Sequence, residues 1–241
     1  MVYMSTLSIA YAESTSTQVQ LVTEDSWPPY SDVNGQGLST DLVSAAYRAV
    51  GKRVSVNVMP YARVERHIRA GLVDGGYNVT RQSSTEDMFL FGNEVLFSAP
   101  ASFFFKVGNG ANYKSYDDLP NDIRIGLIID YEYGDIYEKN AHRFNEFRVS
   151  KQSQLIKMIK TGRIDAAIMF DKVAAYTLRE LDLSIDSIDK GFLNHTSDIY
   201  VAFSLQRASS SYHAKLLDQG LRLLRESGEY QALVEESLRD N

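Results

Sequence analysis

The stretch Ile68-Arg69-Ala70-Gly71-Leu72-Val73-Asp74-Gly75 is repeated in character by Ile159-Lys160-Thr161-Gly162-Arg163-Ile164-Asp165-Ala166, 91 residues further on. Each copy reads as a helix end, a glycine stop and the start of a strand, because glycine accepts the left-handed backbone that closes a helix. Helix–glycine–strand joints converge on similar residues in unrelated proteins, but eight positions of like character favour two related halves. At the same offset Thr80 corresponds to Asp171. Each lies just past the carboxyl end of its strand, where open α/β sheets bind ligands.

Outward from these joints the chain alternates strands and helices. Val19 to Val22 reads as a strand that runs into the turn-rich segment Trp27-Pro28-Pro29-Tyr30 through Gly35 and Gly37. Ser39 or Thr40 is expected to cap a helix whose apolar face is Leu42, Val43, Ala46, Tyr47 and Val50, with Gly51 as its stop. Val54, Val56 and Val58 alternate as a strand, and Pro60 opens a helix with Val64, Ile68 and Leu72 on one face. After Gly108-Asn109-Gly110 a second set follows: strand Ile123 to Ile129, a helix from near Gly134, strand Phe147 to Val149, a helix marked by Leu155, Met158 and Ile159, strand Ile164 to Phe170, and a helix from Asp171 to Leu181. Ser210 to Leu238 reads as two amphipathic helices broken at Ser227-Gly228. This rhythm is that of parallel sheets covered by helices.

Two apolar segments, Ser102 to Val107 and Ile199 to Phe203, connect the sets and would form a two-strand hinge. The expected fold is therefore α/β and two-lobed, each lobe a mixed, mostly parallel sheet flanked by helices. Residues 19–107 and 198–241 would form lobe 1, and residues 108–197 lobe 2.

The 241 residues are 44% hydrophobic and 23% charged, an ordinary globular balance. A net charge of −6 argues against a general nucleic-acid binder, which needs a basic face. With no cysteine, thiol nucleophiles, disulfides and zinc–thiolate sites are excluded. Met1 to Ala12, ending Ala10-Tyr11-Ala12, has the small-x-small pattern of a secretory cleavage site without its basic start; it reads as a signal remnant or an ordinary terminus within residues 1–18.

In the order and spacing of its motifs the chain resembles the periplasmic amino-acid-type solute-binding proteins (extracellular solute-binding family 3). The likeness runs from Val19 to Leu238 and rests on Trp27-Pro28-Pro29-Tyr30, Gly71-Leu72-Val73-Asp74, Leu90-Phe91-Gly92-Asn93 before Phe97-Ser98, Gly162 to Ala167 followed by Asp171, and Gly228-Glu229-Tyr230. The resemblance implies an extracytoplasmic, monomeric clamp that captures an amino acid or relative for an ABC-type importer, with no cofactor, metal or nucleic acid. It implies ligand contacts at Trp27 and Tyr30, at Tyr77, Asn78 and Thr80, at Tyr131 and Tyr133, and at Asp171, which would hold an ammonium group. One departure stands out. Where the family places an arginine for the ligand's carboxylate, the stretch Gln82-Ser83-Ser84-Thr85-Glu86 has Thr85, so Arg81 or Arg63 would have to supply the guanidinium.

Each of these residues also has a structural reading. Trp27 could cover the core, Asp171 could cap a helix, Tyr131 and Tyr133 could be buried, and Arg63 and Arg81 could be solvated surface groups. Ser83 and Glu86 fit a structural capping box. The acidic Asp130, Glu132 and Asp135 read as a solvated face beside a helix start. His67, His142, His195 and His213 fall in helical or loop contexts without metal-ligand spacing, and no nucleophile elbow, phosphate loop or dinucleotide fingerprint occurs. A ligand-sensing clamp for a membrane receptor and a dehydratase-like enzyme on the same fold remain as alternatives.

Overall fold

The computed structural model describes residues 18–239; the suspected signal remnant lies outside the described residues. The first half opens with β1 (Gln18–Glu24), α1 (Leu38–Ala49), β2 (Arg53–Met59), α2 (Tyr61–Arg69) and β3 (Gly75–Thr80). The short α3 (Ser83–Glu86) and β4 (Phe89–Phe91) lead into β5 (Phe97–Phe105). The second half repeats the opening pattern as β6 (Arg124–Ile128), α4 (Asp135–Asn140), β7 (Asn145–Val149), α5 (Gln152–Lys160), β8 (Ala166–Phe170) and α6 (Asp171–Glu180). The long β9 (Asp189–Ser204) returns to the first half, where α7 (Ser210–Ser227) and α8 (Glu229–Arg239) close the fold.

The strand order β2-β1-β3-β9-β5-β8-β6-β7 makes the duplication visible. In the first half β1 pairs in parallel with β2 and β3; in the second, β6 pairs in parallel with β7 and β8. Between them β5 and β9 run antiparallel from Phe97 opposite Ile199 to Phe105 opposite Asp189, each also pairing with a neighbouring half. β9 extends beyond the expected hinge segment at both ends, whereas β5 starts earlier, at Phe97, and ends at Phe105, short of Val107.

The repeated joints fold alike. Gly71 and Gly162 have φ of 68° and 69°, the left-handed region that a side chain would strain. Asp74 donates its backbone N–H to the Gln20 carbonyl (2.9 Å) and its carboxylate accepts from the Gln20 N–H (2.8 Å). Asp165 makes the same pair of bonds with Arg124 (2.9 and 3.0 Å). An arginine then clamps each joint: Arg207 on Asp74 and the Gly71 and Leu72 carbonyls, Arg124 on Asp165 and the Arg163 carbonyl.

Several local expectations need correction. Gly37, not Ser39 or Thr40, precedes α1; the Thr40 hydroxyl instead donates to the Gly35 carbonyl at 2.6 Å, and Ser39 is buried inside the first turn. Leu72 is 59% exposed, since α2 ends at Arg69 and the chain has already left the helical register. The capping box of α3 is Gln82 with Thr85, one residue earlier than Ser83 with Glu86. His195 sits in β9 rather than in a helix or loop.

Candidate functional site

The carboxyl ends of β1, β3 and β8 converge on a small enclosed cavity between the halves. Glu24, Trp27, Asn78 and Thr80 line it from the first half together with Tyr61 at the start of α2. Tyr131, Glu132 and Phe170 line it from the second. Its volume of about 10 Å³ has room for roughly one water molecule, so its walls are nearly in contact.

Two tyrosine–carboxylate pairs cross the gap in opposite senses. The Tyr131 phenol donates to the Glu24 carboxylate, and the Tyr61 phenol donates to both oxygens of Glu132 at 2.9 and 2.8 Å. The two tyrosine rings meet edge to face at 4.9 Å. Trp27 packs edge-on against Phe170 at 4.9 Å, again across the halves, and is backed by Tyr30 and Phe97. At the rim, Gln82 accepts from the Gly134 N–H (3.2 Å) and donates to Glu138 (2.6 Å).

These contacts put two carboxyl groups where water is scarce. Glu24 is 2% exposed, and burial pushes its carboxyl up to about 8 despite the Tyr131 hydrogen bond, with Asp25 adding repulsion. Burial likewise raises Glu132 well above the carboxylate range, reinforced by the charge of Glu65, while Tyr61 opposes the shift. Glu65, one turn further along α2 and partly buried, is pushed up to about 7 by burial and by Asp130, with Arg69 pulling the other way. His195, near Phe170 in the crossing strand, is held down to about 4 by burial, so it is neutral at ordinary pH. Its Nδ1 accepts from the Asn194 amide, which leaves Nε2 to carry the proton and donate to Ser197 (2.6 Å each).

The backbone is shaped for this site at Asn78. A bulge between Tyr77 and Val79 interrupts the β3–β9 ladder, and Asn78 adopts φ of 71°. Asparagine tolerates that region better than most side-chain-bearing residues, and bulges often re-aim a side chain beside a site.

Of the residues expected from sequence, the cavity brings together Trp27, Asn78, Thr80 and Tyr131. Tyr30 stands behind Trp27, and Tyr77 is fully buried with its phenol bonded to Thr40. The Tyr133 phenol accepts from the Ile128 N–H, away from the cavity wall. Arg63 is exposed on α2, and Arg81 is bonded to Glu86 at 2.7 Å and spread over Phe91 and Tyr200. Asp171 accepts from Lys190 at 2.6 Å and lines a separate open groove beside β5 and β9. Thr85 is buried, its hydroxyl donating to the Thr80 carbonyl.

The sequence reading missed Glu24, Tyr61, Glu132 and Phe170. Glu132 is buried rather than part of a solvated face. Glu24 and Phe170 could have been found from their places at the carboxyl ends of β1 and β8. Tyr61 and Glu132 carry no such signal, since 71 residues separate them and only the closed tertiary arrangement pairs them.

No family model matches the chain, and no curated protein matches it in sequence. Solved structures match it in fold. The arginine-bound amino acid ABC transporter substrate-binding protein AbpA of Streptococcus pneumoniae aligns with a TM-score of 0.76 at 18% identity, covering 92% of this chain and 95% of the other. A histidine kinase sensor domain with similarity to periplasmic binding proteins aligns with a TM-score of 0.76 at 17% identity, covering 92% and 96%. The ancestral amino acid-binding protein AncCDT-1, a precursor of cyclohexadienyl dehydratase, aligns with a TM-score of 0.74 at 17% identity, covering 91% and 94%. The chain thus has the two-lobed fold of the periplasmic binding proteins.

Proposed function

We propose that the protein is a solute-binding clamp of the amino-acid importer type, which captures a small polar solute between its halves. The observation that carries this reading is the cavity, whose walls come from both halves and are tied across by paired tyrosine–carboxylate hydrogen bonds. A solute larger than water enters only when the halves part about β5 and β9. Once inside, it contacts both walls at once and so favours the closed form by its differential affinity.

On this reading the protein works outside the cytoplasm and hands its solute to a membrane permease. The fold likeness to a sensor domain also suits a membrane receptor as the partner. The test is thermal unfolding of ligand-stripped protein against amino acids, amines, organic acids and sugars. A solute at about 100 times its dissociation constant adds roughly 2.7 kcal/mol of stability. A shift with one solute class supports the clamp; no shift with any class removes it.

A second reading is favoured by Glu24 itself, because a carboxyl pushed up to about 8 in an aromatic cavity suits a general acid. Product formation from a bound solute, lost in Glu24→Gln, would establish an enzyme. Intact solute recovered after prolonged incubation would leave the clamp.

A further inference from the structure

We propose, resting on the clamp reading, that the cavity selects an organic cation, a primary amine or guanidine lacking a carboxylate group. The argument begins with what the wall offers. Glu24 and Glu132 face the cavity as acceptors from opposite halves, and neither lysine, arginine nor histidine lines it. Arg81 is engaged by Glu86, and Lys190 by Asp171, outside the wall. An anionic group entering here would find no cationic side chain and would hold both buried carboxyl groups in their protonated form, whereas a cation lets either one give up its proton and pair with it.

Asn78 points the same way by independent means. Ser31 spends its hydroxyl proton on the Glu24 carbonyl (2.8 Å), so at the 3.1 Å contact between Ser31 and Thr23 it is Thr23 that donates. The Thr23 oxygen can then only accept from Asn78, which fixes the Asn78 Nδ2 toward it at 3.2 Å. The amide oxygen is left as the other end, and it is buried with no hydrogen-bond partner. Asn78 is 5% exposed and lines the cavity. An unpaired buried acceptor calls for an N–H donor, which an ammonium or guanidinium carries and a carboxylate lacks. The Trp27 indole N–H is a wall donor buried without a partner, but it is a single group where carboxylate recognition uses a bidentate pair.

The rest of the wall suits the same class. Trp27, Tyr61, Tyr131 and Phe170 surround the polar groups with aromatic surface, which attracts a cation and packs on its methylenes. Among the described residues no three acidic or histidine side chains are grouped to hold a metal ion, so the cation is organic.

The experiment compares matched pairs that differ only by the α-carboxylate: cadaverine with lysine, putrescine with ornithine, and agmatine with arginine. Binding to the purified full chain is measured by calorimetry at one pH and salt concentration, with glutamate, succinate and glucose alongside. In at least one pair the decarboxylated member should bind about tenfold or more tighter, and Glu24→Gln or Glu132→Gln should weaken it by a similar factor. Amino acids binding as tightly as their decarboxylated partners would overturn the inference and leave the clamp standing. So would preference for an acid or sugar, or amine affinity unchanged in both variants. If no probe binds, the inference and the clamp fall together.

Discussion

Glu24 ends β1 with its carboxyl buried against Tyr131, and that placement has a consequence for pH. In the unfolded chain the group loses its proton near 4.5, whereas in the folded protein it keeps it to about 8. Between those values the unfolded state binds fewer protons, so stability is greatest at the acid end and falls as pH rises through the window. Glutamine has no proton to lose. Glu24→Gln should therefore leave Tm nearly unchanged at pH 4 and raise it at pH 8, which thermal unfolding across pH measures. The aspartates of the two repeated joints differ in another way. Asp74 has a side chain only 7% exposed and pairs with Arg207, whereas Asp165 is 41% exposed in its pair with Arg124. Asp74→Ala should cost about 3 kcal/mol, and Asp165→Ala about 1 kcal/mol or less in its solvent-screened pair, by urea denaturation.

At the scale of elements, α1 and α7 cross where Gly220 meets the backbone of α1. A Cβ built on Gly220 would stand 2.0 Å from the Ala46 carbonyl oxygen. Alanine usually stabilises a helix over glycine by about 1 kcal/mol, but here the clash reverses the sign. Gly220→Ala should destabilise by about 1–3 kcal/mol, read from its denaturation midpoint. Most elements were legible because their pattern is local: alternating valines in β2, the four-residue spacing of α2, and glycine stops at Gly51, Gly71 and Gly162. Their ends were less so, since capping depends on which side chain the chain path leaves within reach. Gln82 precedes α3 and bonds with Thr85, so Ser83 falls inside the helix, where the Ser-x-x-Glu pattern has no meaning.

For the whole molecule, the duplication was legible because two strand–helix–strand sets and one repeated joint lie in order along the chain. The cavity was not. Tyr131 and Glu24 are 107 residues apart, and Tyr61 and Glu132 are 71 apart, so no spacing rule joins them. The two arginines expected from the motif lie outside this wall, Arg81 held by Glu86 and Arg63 exposed on α2. The cross-cavity bonds also predict how the halves respond to mutation. Removing both phenol hydroxyls, in a Tyr61→Phe, Tyr131→Phe variant, strips two carboxyl groups of their donors across the gap. The ligand-free variant should then open, with a larger radius of gyration by small-angle X-ray scattering than the parent. An unchanged radius would show that Gln82 and the aromatic contacts hold the halves alone.

Trp27 is the chain's single tryptophan, and its indole lies against Phe170 of the opposite half. The protein therefore carries one indole fluorophore, at the place where its halves meet. Light absorbed selectively by indole would report that contact without an attached dye. Parting of the halves would admit water and shift the emission to the red; a bound solute would hold it blue. Each titration described above has its optical readout already written into the chain.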